Sequence, residues 1–396
     1  MKILMYTVIN VNDALGSSLH VRKVAEKLTK RGHDFVLLAP LFPGEKKTHN
    51  FSIIYLGPTG KFILLIKFLQ DINAGLKLLG VILKGWKPEA VYSRFGLSTI
   101  FLPILCKLLR IPYFTEVNGA HKADLKYKGT SRFLMPFFLA IERLNYICSR
   151  KIVSVSDELS DLIRKMRWVK ANQVVTVLNG VEVENYKLNG QCDPDFRRRL
   201  RGEAQLALGF VGRFEKWHGL SNVVEALALI KNQYPDLATK IKLILIGIGT
   251  EQPNLERQIV QTKTSAMVHF TGWVENNDLP KYLSCVEIAL APYMPYSSTD
   301  GSLYPCPLKI LEYLAAEKWI LTVDTAFSGI IRENNAGYIL NEVTPRRVAE
   351  AILWAWKNRE HIFKNMKKMQ SVIEQNYSWD VTAQKLEQIM QKGSSC

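Results

Sequence analysis

Short apolar runs alternate with stretches of helical period along the whole chain. Residues 2–9, KILMYTVI, predict a buried strand. A loop with Gly16, Ser17 and Ser18 follows, then a helix over 19–31, a stop at Gly32-His33 and a strand over 34–39. Strand, glycine loop, helix and strand make a βαβ unit, in which a loop glycine lets backbone approach a ligand at the carboxyl end of the sheet. The fingerprint GxGxxG is absent, so Gly16 reads either as such a glycine or as a plain strand-to-helix turn. Further strands are predicted over 90–94, 113–117, 151–155 and 174–178, with helices over 101–109 and 132–150. Ser156 reads as a helix cap. Asn118-Gly119 turns the chain at a carboxyl strand end, and Glu116, Asn118 and His121 gather there.

Residues 185–202 break this rhythm. They are polar, hold Asp193-Pro194-Asp195 and three arginines at 197–199, show no period, and read as an interdomain linker. An Asp-x-Asp in such a loop is not read as a metal site. The same grammar then resumes, with strands over 204–211, 242–246, 268–271, 288–291 and 320–324 and helices over 220–232 and 254–263. Gly212-Arg213, residues 217–219 and Gly247-Ile248-Gly249 mark the turns. An amphipathic helix over 378–391 closes the chain. The expected organisation is α/β: one unit over 1–185, a linker over 186–202, a second unit over 203–377, and a last helix within 378–396 returning to the first unit.

Residues 301–318, GSLYPCPLKILEYLAAEK, carry the most chemistry. A glycine-serine loop runs through Pro305 and Pro307 into a helix whose stripe is Leu308, Leu311, Leu314 and Ala315. The free N–H groups of Leu308 and Lys309 attract phosphate, and Glu312, one turn deeper, can accept two hydrogen bonds from a ribose diol. The alternative is a capped surface helix with a solvated glutamate. Arg213 and Lys216 share that crevice if the sheet is parallel, and their charge would stabilise a diphosphate leaving group; the alternative is a surface basic pair.

Residues 61–84, KFILLIKFLQDINAGLKLLGVILK, put Lys67, Gln70, Asp71, Asn73, Lys77 and Lys84 on one helical side and leucines and isoleucines on most of the other. That pattern suits a membrane interface through the lysine face, or a helix packed on its own sheet.

Charge sharpens the choice of partner. The 396 residues carry a formal net charge of +16, which suggests an anionic partner: nucleic acid, a membrane surface or phosphorylated substrates. The basic residues are dispersed and no nucleic-acid module appears, so no nucleic-acid partner is expected. Six cysteines stand apart with no CxxC pair, which fits a reducing compartment and neither a zinc site nor a disulfide framework. No secretory signal and no spanning segment is visible.

Several strings together resemble the retaining glycosyltransferases of family 4. They are RGHDFVLLAP, NGVEVENYK, VGRFEKWHG, LILIGIGTE, VHFTGWVENNDLPKYLSCVEIALAPY, PLKILEYLAAEKW and YSWDVTAQKLEQI, in that order over nearly the whole length. The resemblance implies the GT-B fold, two Rossmann-like domains facing across a cleft, with the donor mainly on the second. It implies transfer from a UDP- or GDP-sugar with retention, with no bound metal and no cofactor. By position, Glu312 looks like the ribose-binding glutamate and Arg213 like the diphosphate arginine. Gly16 looks like the first-domain loop glycine, and Gly247 and Gly249 match the turn near the nucleobase. Tyr304, Cys306, Leu308 and Lys309 fall on the donor loop, and Glu116, Asn118 and His121 on the acceptor side.

This chain departs from the family at four places. Tyr304 stands where the family often has a second glutamate, eight positions before Glu312. His218 stands where a lysine is common, with Lys216 as a stand-in, and Asn118 aligns with a common histidine. Pro307 replaces a frequent glycine and removes a donor.

The expected function is transfer of a sugar to a lipid-linked or surface-polysaccharide acceptor by a peripheral protein on the cytoplasmic face of an anionic membrane. The competing readings are a sugar-nucleotide epimerase of similar fold and a non-catalytic saccharide- or membrane-binding subunit.

Overall fold

A computed structural model describes residues 1–13, 16–42, 49–58, 63–119, 133–187, 193–294 and 307–394. The chain forms two compact units. One comprises Met1–Gly180 with Trp379–Cys396, the other Val181–Ser378.

The first unit holds a seven-stranded sheet in the order β3-β2-β1-β4-β5-β6-β7. Its strands are β1 (Lys2–Tyr6), β2 (Asp34–Leu41), β3 (Ser52–Pro58), β4 (Ala90–Arg94), β5 (Tyr113–Val117), β6 (Lys151–Ser154) and β7 (Val174–Thr176). Its helices are α1 (Gly16–Lys30), α2 (Ile63–Leu83), α3 (Phe101–Leu108), α4 (Met135–Cys148) and α5 (Asp157–Arg164). All pairings are parallel. Helices must then cover both faces, so central strands read as continuous apolar runs: Ile3, Leu4, Met5 and Tyr6 are fully buried. The capping role of Ser156 is borne out, its hydroxyl accepting the Leu159 N–H at 3.1 Å.

The second unit holds a six-stranded parallel sheet in the order β10-β9-β8-β11-β12-β13. Its strands are β8 (Leu206–Val211), β9 (Ile241–Ile246), β10 (Val268–Gly272), β11 (Ile288–Ala291), β12 (Trp319–Val323) and β13 (Gly337–Leu340). Helices α6 (Pro194–Arg201), α7 (Leu220–Gln233), α8 (Gln252–Gln261), α9 (Leu308–Ala315) and α10 (Pro345–Asn365) belong to it, and α11 (Trp379–Ser394) belongs to the first unit. The edge strands β3 and β13 were not predicted. Their apolar runs, Ile53 to Leu56 and Tyr338 to Leu340, are short and only partly buried, and periodicity alone does not identify so short a run as a strand.

Three expectations are corrected. Part of the expected linker is helix α6: the Asp193 carboxylate caps it, accepting N–H groups of Asp195 and Phe196 at 2.9 Å. Phe196 and Leu200 are buried, and Arg201 forms an ion pair with Glu287 at 2.6 Å. Charge along the segment hid a short amphipathic period. The wheel for α2 holds only in part: Lys77 and Lys84 are exposed as read, while other groups of its polar side turn inward. Gln70 and Asp71 are buried, and Asp71 accepts the Ile100 and Phe101 N–H groups at 2.8 and 2.6 Å at the start of α3. Asn73 donates to the Leu56 carbonyl at 2.9 Å. These groups serve neighbouring backbone, and the helix turns leucines outward instead. Finally, Cys285 is disulfide-bonded, which scattered spacing did not foretell, while Cys106 and Cys148 are free thiols.

Candidate active site

In the second sheet the strand order reverses between β8 and β11, the switch point at which open α/β sheets bind ligands beyond their carboxyl ends. The strands pair only through Leu208 and Gly209. Above that they part, and the Val211 N–H donates instead to the Tyr313 hydroxyl at 2.9 Å. Tyr313 lies on α9, so this bond ties α9 to the sheet beside the split. Pro307 is the N-cap residue, and among the described residues no side chain caps the start of α9.

Lys309 folds back over the sheet end. Its Nζ lies 3.2 Å from His218 Nε2, 4.1 Å from the Phe210 ring centre and 5.6 Å from that of Tyr293. Burial pushes Lys309 down to about 7, against the pull of Glu312 one turn on. Burial, and then Lys309, push His218 down to about 2. The imidazole is therefore neutral, and its Nε2 accepts from the ammonium. Glu312 is half-buried, with the Tyr186 hydroxyl donating to it. Burial raises its pKa, while Lys309 and Tyr186 act in the opposite direction. Tyr186 comes from a 3-10 turn, Val183–Tyr186, which runs into the first residues of the expected linker.

The turns around this cluster are laced together. Gly247 has φ of 130°, and a Cβ there would lie 2.2 Å from the Gly212 carbonyl oxygen. A Cβ on Gly249 would meet the Phe214 nitrogen at 2.2 Å. Glycine is required because the turn after β9 lies directly on the turn after β8. Arg213 sits on the outer rim, exposed, its Nε 3.3 Å from Glu215. Lys216 is exposed on the 3-10 turn Lys216–His218. Thus Lys309, His218, Glu312, Gly247 and Gly249 are brought to the switch point, with Arg213 and Lys216 at its edge. Tyr304 and Cys306 lie outside the described residues.

Sequence reading assigned Lys309 through its backbone and missed its side chain. The missed signal was the spacing of Lys309 and Glu312 on one helical face. Tyr186 and Tyr313 carried no signal of their own.

In the first unit, Gly16 opens α1, and Arg22 donates to the Val11 and Asp13 carbonyls at 2.6 and 2.7 Å, fixing the loop before it. The expectation for Glu116 as a group facing an acceptor is corrected. It is 1% exposed, and its oxygens bind His20 Nε2 at 2.9 Å, Arg94 at 3.0 Å, Asn118 at 2.7 Å and the Tyr92 hydroxyl. Burial opposes its charge, but His20, Arg94 and Tyr92 outweigh that and hold it well below the usual carboxylate range. Glu116 therefore anchors its neighbours, and Asn118 is the partly exposed member. His121 lies outside the described residues.

Two doubly wound parallel α/β units define a protein of GT-B architecture. The comparisons agree: residues 15–185 match the family model for Glycosyltransferase Family 4 and residues 193–379 that for Glycosyl transferases group 1. An uncharacterized glycosyltransferase of Methanocaldococcus jannaschii is 22% identical, over 92% of this chain and 91% of its own. A putative teichuronic acid biosynthesis glycosyltransferase of Bacillus subtilis, TuaH, is 29% identical over 42% of this chain and 38% of its own. The crystal structure of Anabaena HepE in complex with UDP and glucose has the same fold, with a TM-score of 0.73, 15% identity and 99% coverage of each chain. The structure of WaaG, a glycosyltransferase involved in lipopolysaccharide biosynthesis, gives a TM-score of 0.70 at 14% identity, covering 98% of this chain and 99% of its own. The chain belongs to the group 1 glycosyltransferases, family 4, and is a transferase that uses a nucleotide sugar.

Proposed function

We propose that this chain transfers a sugar from a UDP- or GDP-sugar, with retention, to a lipid-linked or surface-polysaccharide acceptor at a membrane, without a bound metal. The observation that carries the donor reading is the pairing of Lys309 and Glu312 on α9 at the switch point, with His218 against the ammonium. The diphosphate lies across the start of α9, where the N–H groups of Leu308 and Lys309 would hold it. The Lys309 ammonium meets one phosphate, taking the place of the lysine that this chain lacks at position 218. Glu312 accepts the ribose hydroxyls, and Gly247 and Gly249 let the turn after β9 close on the turn after β8, beside which the base would lie.

Negative charge grows on the terminal phosphate as the bond to the sugar carbon breaks. Arg213 on the rim, with Lys216, meets that charge, and its planar fork holds two oxygens at once. These cations supply what a metal would otherwise provide. Asn118 and His121 are assigned to the acceptor side, with Glu116 fixing Asn118 from beneath. The UDP reading is supported by HepE, described with UDP and glucose, and the acceptor class by the names of TuaH and WaaG.

The test is a donor titration of Glu312→Ala alongside a thermal-shift panel of UDP- and GDP-sugars. One nucleotide class should raise the melting temperature of the native protein. Glu312→Ala should lose most affinity and turnover while melting as a folded protein. Unchanged donor affinity in the variant would remove Glu312 from the site.

A further inference from the structure

Helices α2, α3 and α4 form one layer on the first sheet. Gly75 of α2 lies against Phe101 of α3, and Phe68 of α2 meets Phe137 of α4 with ring centres 6.1 Å apart. The outward side of this layer is apolar. On α2 it shows Leu65, Leu69, Ile72, Leu76 and Leu83, spaced to fall on one helical stripe, and Leu83 is 87% exposed. On α3 it adds Ile104 and Leu108, and at the start of α4 Leu134 and Phe137, preceded by Phe133, which is 92% exposed. A run of large apolar side chains over three adjacent helices marks an interaction surface.

The charges on the same layer have one sign. The exposed charged residues of α2, α3 and α4 are Lys77, Lys107 and Arg143, while their two carboxylates, Asp71 and Glu142, are buried. Lys84 and Arg110 follow α2 and α3 and are exposed. A second copy of this chain is a poor occupant, because a two-fold interface would set lysine against lysine. A free anion leaves the leucines unexplained. An anionic lipid surface satisfies both features: leucine and phenylalanine enter the headgroup boundary while lysines meet lipid phosphates.

We infer that the outward face of the α2–α3–α4 layer docks on an anionic lipid bilayer through Leu65, Leu69, Leu76 and Phe133, with Lys77 and Lys107 on the headgroups. The docking face thus combines the outward leucines of α2 with Lys77 from the polar side that the wheel picked out. The inference deepens the membrane reading of the acceptor and does not depend on the donor site.

The experiment is co-sedimentation with vesicles of equimolar phosphatidylglycerol and phosphatidylcholine, against vesicles of phosphatidylcholine alone. The native protein should prefer the anionic vesicles by roughly tenfold or more. The pair Leu69→Gln with Leu76→Gln should weaken binding by roughly tenfold, and so should Lys77→Glu with Lys107→Glu. All four side chains are exposed, so melting temperature and UDP-induced stabilisation should stay native. Raising salt from about 0.1 to about 0.5 M should weaken binding, because surface attraction is screened. Equal binding to both vesicle types, or native binding by the leucine pair, overturns the inference. So does a native dimer that the leucine pair dissociates while vesicle binding is absent. Intact UDP stabilisation in all variants separates failure here from failure of the donor reading.

Discussion

Donor binding should take up a proton, and Lys309 should be its destination. With its pKa pushed down to about 7, Lys309 is about one-tenth charged at pH 8 in the empty protein. A phosphate charge about 4 Å away, at an effective dielectric of about 20, contributes about 4 kcal/mol, or about three pKa units. That lifts the bound ammonium to about 10, so UDP binding at pH 8 should take up about 0.9 proton. UDP itself is fully ionised there, its last phosphate pKa being about 6. Burial keeps His218 neutral across this range, its pKa lying at about 2. At pH 6 Lys309 is already charged, and its uptake should fall to about 0.1. UDP affinity should therefore drop by up to about tenfold per unit above pH 7. Lys309→Met keeps the bulk and removes the charge. By the same linkage it should cost about 4 kcal/mol of UDP binding at pH 6, narrowing to about 1.4 kcal/mol at pH 9. The assay is titration calorimetry in two buffers of different ionisation enthalpy. Zero uptake by the native protein at pH 8, or unchanged uptake in Lys309→Met, would refute the placement of the diphosphate.

Arg213→Ala should lower turnover by roughly a hundredfold while raising the donor Michaelis constant less, and Arg213→Lys should recover only part, because the fork that holds two oxygens is gone; near-normal turnover in the alanine variant would reduce Arg213 to a surface cation held by Glu215. Activity should persist in excess EDTA, since Arg213, Lys216 and Lys309 are assigned the charge of the leaving group. Complete loss on chelation, restored by magnesium or manganese, would reverse that assignment.

The two parallel sheets were legible because buried parallel strands leave continuous apolar runs, as in LALGFV of β8. Glycines at 247 and 249 were legible as turns, but not the backbone they lie against. What the sequence hid was direction. A helical wheel cannot say which side faces the sheet, and in α2 the carboxylate of Asp71 is drawn inward by the open N–H groups of α3. Glu116 misled for a related reason. A carboxylate at a strand end reads as exposed until His20, Tyr92 and Arg94, distant in sequence, close over it. Lys309 became visible as a side chain only once α9 had been set against His218.

Helix α11 is held to the first unit by ion pairs of Lys27 with Asp380 at 2.7 Å and of Arg31 with Glu387 at 2.5 Å, and His33 Nε2 lies 3.2 Å from the same Glu387 carboxylate. Trp379 is buried edge-on against His20. A ribosome therefore emits the first sheet long before the helix that completes it. The second unit, contiguous over Val181–Ser378, leaves the tunnel whole in between. The unit made first finishes last, and until then α1 waits with an uncovered flank. A premature stop just beyond Ser378 would thus spare the unit in which it falls nearest and injure the one that begins the chain.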